Sequence, residues 1–103
     1  MLTASSILDI IPLDDLVYVQ SCGDFVRFVT TTTTIEAKLK FKAIHALLPP
    51  HQFCKVHRSY LVNIAHITYL DPVYLHLYKK AIPLSLTFRQ KLLAQLRQQE
   101  EGG

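Results

Sequence analysis

Glycine is almost missing from this chain of 103 residues: Gly23 stands alone in the interior, and the other two close the sequence. A glycine-rich loop that cradles phosphates with bare backbone is therefore excluded. Cysteine is limited to Cys22 and Cys54, with no CxxC spacing. That speaks against a disulfide scaffold and for two free thiols in a reducing, cytoplasmic setting. Long hydrophobic runs are missing too. The most apolar segment, YLVNIAHITYL at 60–70, is interrupted by Asn63 and His66, short of the roughly 20 apolar residues that a membrane helix needs. No basic residue precedes the apolar positions of the N-terminus, so no signal peptide and no membrane partner are read there. Half of the chain is hydrophobic, enough for a single domain, 1–103, to build its own core.

Acid is scarce where base is plentiful. All eleven Lys and Arg lie between Arg27 and Arg97, opposed only by Glu36 and Asp71, which leaves nine positive charges in excess across that span. Residues 1–24 hold four acids, Asp9, Asp14, Asp15 and Asp24, and no Lys or Arg. A basic body attracts polyanions, although a solvated face built with lysine has the same composition.

The residues of catalysis do not fall into working patterns. Cys54 and His57 are three apart in a strand pattern, which puts them on opposite faces, so Cys54 reads as structural rather than as a nucleophile. The histidines at 45, 51, 57, 66 and 76 show neither HxxxH nor HExxH spacing on an expected helix, so no metal site and no cofactor are expected. Outside the EEGG tail, Asp14 and Asp15 form the one carboxylate pair and read as a turn before a strand. No enzyme is expected.

Period two dominates what is present. DLVYVQ (15–20) reads as a strand with Leu16, Tyr18 and Gln20 on one face and Val17 and Val19 on the other; SCGD (21–24) reads as its turn. FVRFVTTTTTIEAKL continues as strand, with a reversal near Thr32 that lacks the usual Gly or Asn. The spacing of Leu39, Ala43, Ala46 and Leu47 predicts a helix over 39–48, stopped by Pro49 and Pro50. Residues 53–57 read as a short strand, 60–70 as a buried strand, 74–78 and 81–85 as a hairpin with KK at its tip. Pro83 makes the return strand an edge. TFRQKLLAQLRQQ reads as a terminal helix carrying Phe88, Leu92 and Leu96 or Leu93 at helical spacing, capped by Thr87 or Ser85, with EEGG as a frayed tail. The fold class is thus mainly β, antiparallel, with one short mid-chain helix and a C-terminal helix.

Three polar rims stand at strand ends. The first is His57-Arg58-Ser59, with Lys55 just before it. Arginine suits bidentate capture of guanine O6 and N7, while Lys55, His57 and Ser59 suit phosphate oxygens. Taken alone, Arg58 reads first as a surface ion pair with Asp71 or Glu36 and only second as a base contact, and His57 reads as a half-buried ring bonded to backbone. Asn63 reads as an inward residue that satisfies a loop's backbone. The second rim is the 21–24 turn with Arg27 beyond it, and the third is 85–89, entering the last helix.

The segment FCKVHRSYLVNIAHITYL (53–70) strongly resembles the signature of the LytTR DNA-binding domains of bacterial response regulators: an aromatic, a basic residue, His-Arg-Ser-Tyr, two apolar residues and Asn, then a hydrophobic strand. LDDLVYVQSCGDFVRFVT resembles the family's opening strand pair, the LLP helix end precedes the signature, and IPLS with a polar helix resembles its ending. The similarity covers about 11–96. It implies an elongated fold of antiparallel strands that places loops into successive major grooves of double-stranded DNA, commonly as two copies on direct-repeat promoter sites, which admits a homodimer on DNA. Carried over by position, the contacts fall on the loop near Asp24 and Phe25, on Arg58, and on the segment after Ser85, with His57 and Lys55 in backbone roles. Two departures stand out. Gln20 occupies a place where the family usually carries an acid, and Leu86, Thr87 and Phe88 intervene before Arg89, which leaves Thr87 and Arg89 as rival contacts. Family members also commonly carry a receiver domain; 103 residues hold none, so an excised domain or a protein lacking a receiver is expected. The resemblance implies the sequence-specific DNA-binding output domain of a two-component transcriptional regulator. The alternative is a protein-interaction module that uses the basic face and the edge strand at 81–85.

Overall fold

The period-two segments become two antiparallel sheets. In the computed structural model, which describes residues 3–102 and the side chains of residues 3–98, β1 (Leu16–Cys22), β2 (Phe25–Thr30), β3 (Thr34–Ala37), β4 (Phe53–His57) and β5 (Tyr60–Asn63) form one sheet in the order β3-β2-β1-β5-β4. β6 (Tyr69–Leu70), β7 (Tyr74–Leu77) and β8 (Lys80–Pro83) form the second, in chain order. Helices α1 (Ala4–Ile10), α2 (Phe41–Leu47) and α3 (Leu86–Gly102) complete a body of 40 × 28 × 24 Å, so the domain is elongated and mainly β, as expected.

The larger sheet is covered on both faces, which explains why its strands are apolar on both sides. One core holds Ile7, Leu16, Val19, Val26, Phe28, Ile44 and Leu61 beneath α1 and α2. The other holds Val17, Val56, Val62, Leu75, Ile82 and Leu92 beneath the smaller sheet and α3. Each of these side chains contributes about 1.5–3 kcal/mol by leaving water.

Two bulges break the expected alternation. Between β1 and β2 the register steps from Leu16↔Thr30 to Tyr18↔Val29, making Val17 the extra residue. Val17 and Tyr18 consequently both pack into the second core, while Leu16 joins Val19 in the first. Between β4 and β5 the register steps from Lys55↔Leu61 to His57↔Tyr60, with Val56 extra. His57 then shares a face with Cys54, whose partner Val62 lies on the face of Tyr60. The expected opposite placement of Cys54 and His57 is corrected by this bulge. Cys54 is still a poor nucleophile, because burial pushes its thiol pKa up, against a smaller downward pull from Lys91.

Other boundaries also differ from the sequence reading. Helix α1 has no counterpart in that reading. Thr3 and Ser6 cap it reciprocally, with Thr3 Oγ1 accepting from the Ser6 N–H at 3.2 Å and Ser6 Oγ accepting from the Thr3 N–H at 2.8 Å, and Ile7 seals the first core. Helix α2 starts at Phe41, two residues later than read, so its inward stripe is Phe41, Ile44 and Leu48, whereas Ala43, Ala46 and Leu47 are exposed. The 60–70 strand ends at Asn63. There the chain turns through a 3-10 turn, Ile64–His66, because the Asn63 side chain caps it by accepting from the Ala65 N–H at 3.0 Å. The reversal among the threonines needs no Gly: Thr30 Oγ1 accepts from the Thr33 N–H at 2.9 Å and donates to the Thr33 carbonyl at 2.9 Å. Helix α3 is capped by Ser85, whose Oγ accepts from the Phe88 N–H at 3.3 Å, and it runs to Gly102, through the tail expected to fray; Gly103 lies outside the described residues.

The turn between β6 and β7 is tied by Asp71, which accepts hydrogen bonds from His76 and from the backbone N–H groups of Tyr74 and Val73. These bonds lower its carboxyl pKa from 3.8 to about 2, the His76 bond being the largest cause. Because the folded value lies below the unfolded one, this stabilisation is present above the ordinary pKa and is lost as the pH falls from 3.8 towards about 2. Asp71→Asn should therefore remove part of the acid dependence of stability in that window, read as a flatter curve of urea midpoint against pH. An identical acid limb in the variant would refute the assignment.

Candidate nucleic-acid interface

The β4–β5 turn holds Arg58 fully outside the sheet. The side chain is exposed, and among the described residues its guanidinium has no ion-pair partner. Both acids of the basic span are engaged elsewhere: Glu36 lies 3.8 Å from Arg27, and Asp71 bonds His76. The ion pair that sequence offered for Arg58 is thus not formed.

Strand pairing brings the second rim beside it. The Ser21 N–H donates to the Ser59 carbonyl at 2.8 Å, which joins the end of β1 directly to the Arg58 turn. The β1–β2 turn beyond it contains Gly23 at φ 65, a left-handed conformation that glycine adopts without strain, and the exposed Asp24. Phe25 is half-buried, with the Arg27 guanidinium 5.9 Å from its ring centroid. Arg27 itself is stitched to the sheet, donating to Gln20 Oε1 at 3.3 Å and pairing with Glu36. Register places Glu36, Arg27, Gln20, Tyr60 and His57 in one row across all five strands, just inside the rim. Gln20, the departure from the family pattern, therefore meets Arg27 with a neutral acceptor.

The third rim comes from α3. Gln95 donates to the Pro50 carbonyl, while Phe88 and Lys91 line a shallow cleft with Cys54 and Lys55. The helix therefore runs antiparallel to β4 and starts at the end where Arg58 stands. At that start Ser85, Leu86 and Thr87 are exposed. Arg89 is committed inward, its Nη2 donating to the Asp71 carbonyl at 2.7 Å, so of the two rival contacts Thr87 is the one left open.

Sequence reasoning passed over a fourth group. A cleft of about 610 Å³ separates Gly23 and Asp24 from Lys38, Leu39, Lys40 and Phe41. Lys38 and Lys40 are exposed on its wall, and the Lys55 ammonium lies 5.9 Å from the Phe41 ring centroid nearby. The available signal was the alternation KLKFK, in which Leu39 and Phe41 pack inward against the first core and lysines point out. Lys40 also sits at the N-cap of α2 without making a capping bond, a costly place for a cation.

Residues 8–97 match the family model of the LytTr DNA-binding domain. The chain belongs to this family. As a LytTr domain it is similar to the Sensory transduction protein LytT of Bacillus anthracis and to that of Bacillus cereus, each 29% identical over 94 residues that cover 85% of this chain and 38% of the relative. It thus spans under half the length of the curated relatives it matches. Its fold is also that of a solved LytTr DNA-binding domain from Bacillus cereus, with a TM-score of 0.75, 22% identity and 84% of both chains covered. A LytTr domain is a DNA-binding unit and not a catalytic one, and no described helix is long and apolar enough to cross a membrane.

Proposed function

We propose that this LytTr domain binds double-stranded DNA sequence-specifically, in the cytoplasm, as the output module of a bacterial two-component transcriptional regulator. The observation that carries the reading is the exposed Arg58, without an ion-pair partner among the described residues, on a turn hydrogen-bonded to the neighbouring β1–β2 turn. Two protruding turns side by side, flanked by the start of α3, form an edge that fits a groove rather than a pocket that fits a small molecule. Arg58 reads a base edge. Asp24 and Thr87 sit where a second and third loop would meet the duplex, with Phe25 and Arg27 supporting the former and Ser85 and Arg89 the latter. Lys55, Ser59, Lys38 and Lys40 supply charge and hydrogen bonds to phosphates. Direct repeats bound by two copies follow from the family resemblance.

Selection of bound duplexes from a random pool tests the reading. A recovered motif supports it, and a repeat within the motif reports two copies; a pool that stays random after repeated rounds refutes it. Log K should also fall linearly with log salt. Replacing Lys38 and Lys40 by Ala should reduce that slope by about 1 for each phosphate that a lysine no longer neutralises, with the ranking of DNA sequences unchanged. An unchanged slope would remove this cleft from the interface. The protein-interaction alternative has less to stand on, because the free edge strand β8 contains Pro83, which offers no N–H for pairing.

A further inference from the structure

We propose that His57 is a positioning residue that presets Arg58, acting through the turn rather than through a contact of its own with DNA. The inference rests on the DNA-binding reading of Arg58. Its basis is one hydrogen bond: His57 Nδ1 accepts from the Ser59 N–H at 3.1 Å, bridging over Arg58. This is the i to i+2 bond that an Asx-turn makes with an Asn or Asp oxygen, here made by an imidazole. It requires Nδ1 without a proton, hence a neutral ring carrying its proton on Nε2. Two further features hold the ring in place. The Val56 bulge turns His57 onto the face of Tyr60, and the ring meets Tyr60 edge-on, with centroids 5.4 Å apart and planes at 73°.

The consequence reaches both neighbouring turns. Ser59 uses its N–H towards His57 and its carbonyl towards Ser21, so a single peptide segment ties the Arg58 turn to the β1–β2 turn. Bidentate recognition of guanine demands a fixed direction of approach. A turn ordered before binding spares the complex the entropy of ordering it afterwards. His57 thus contributes to discrimination at the base that Arg58 reads.

Amide mimics separate this role from a phosphate contact. The Asn side-chain oxygen reaches the place of Nδ1, whereas a Gln amide reaches the place of Nε2. Binding should be measured on the selected duplex and on one altered at the Arg58 base pair, for wild type, His57→Asn, His57→Gln, Arg58→Ala and the His57→Gln/Arg58→Ala double variant, all with thermal melts. His57→Asn should stay within about twofold of wild type, whereas His57→Gln should lose about tenfold on the selected duplex and little on the altered one. In the Arg58→Ala background the His57→Gln loss should vanish, the mark of two residues acting as a unit. Retention by His57→Gln with loss in a folded His57→Asn would overturn the proposal, as would a His57→Gln loss that persists undiminished without Arg58. Should Arg58→Ala weaken both duplexes equally, base reading by Arg58 fails, and the double variant still reports whether His57 works through it.

Discussion

Replacing Arg58 by Ala is expected to weaken binding to the selected duplex by about 1–3 kcal/mol and to relax preference at one base position, the worth of one good bidentate contact. The expectation follows from where the guanidinium stands. It is exposed, no carboxylate among the described residues competes for it, and its turn is bonded on one side to His57 and on the other to Ser21. A guanidinium that already held an acid would have to give up that partner before meeting a base, and the net gain would shrink. The control is Lys79→Ala, at an exposed position on the β7–β8 hairpin whose ammonium lies 5.3 Å from the Tyr78 ring centroid. It should change affinity less, and by the same amount on every sequence. The measurement is a titration of cognate and scrambled duplexes at fixed salt, since affinities without a stated salt concentration cannot be compared. Equal losses on both duplexes for Arg58→Ala would make Arg58 a phosphate contact and remove it as the specificity residue.

The second large effect concerns stability. Among the described residues Asn63 is the one buried polar side chain of the core, fully shielded from solvent. Its Nδ2 donates to the Leu16 carbonyl at 2.9 Å and to the Leu13 carbonyl at 3.2 Å, and its Oδ1 accepts from the Ala65 N–H. One side chain thus satisfies three backbone groups, two of them nearly fifty residues away in sequence, and ends β5 by starting the 3-10 turn. Asn63→Ala leaves those groups without partners, at about 1–3 kcal/mol for each that water cannot reach. A total loss of about 2–4 kcal/mol is expected, a large share of the stability of a domain this size. Urea unfolding should show a lower midpoint with an unchanged slope. Asn63→Asp should be no better, since it keeps the acceptor for Ala65 but sets a carboxylate against two carbonyl oxygens. A midpoint within error of wild type for either variant would refute this account. DNA binding by Asn63→Ala should follow the folded fraction, because the side chain lies at the far end of β5 from Arg58.

Much of this was legible in the chain. Alternation marked most strands, Gly23 marked a turn, Pro49 and Pro50 stopped α2, and the Asn63 assignment followed from one amide in an apolar run. The rim of Arg58 was visible as a basic cluster abutting buried strand, although it was the match to the family signature, not the cluster itself, that outweighed a surface ion pair. Those features depend on chemistry within a few residues, so one-dimensional patterns carry them.

What could not be read depended on partners far away. The bulges at Val17 and Val56 exist only relative to Val29 and Leu61 on other strands, yet they decide that Tyr18 faces the second core and that His57 lies on the side of Cys54 and Tyr60. Helix α2 turned its Ile44 inward rather than its alanines because a core already waited there beneath α1. Arg58 and Arg89 are the same residue type on adjoining rims, but one is exposed with no ion pair among the described residues while the other is spent on the Asp71 carbonyl. Composition and period settled which segments become strands and where charge gathers, since propensity and turn chemistry act locally. Register, and the choice of which cation is left unpaired, came from long-range pairing, where a shift of one residue reverses the face of every side chain that follows.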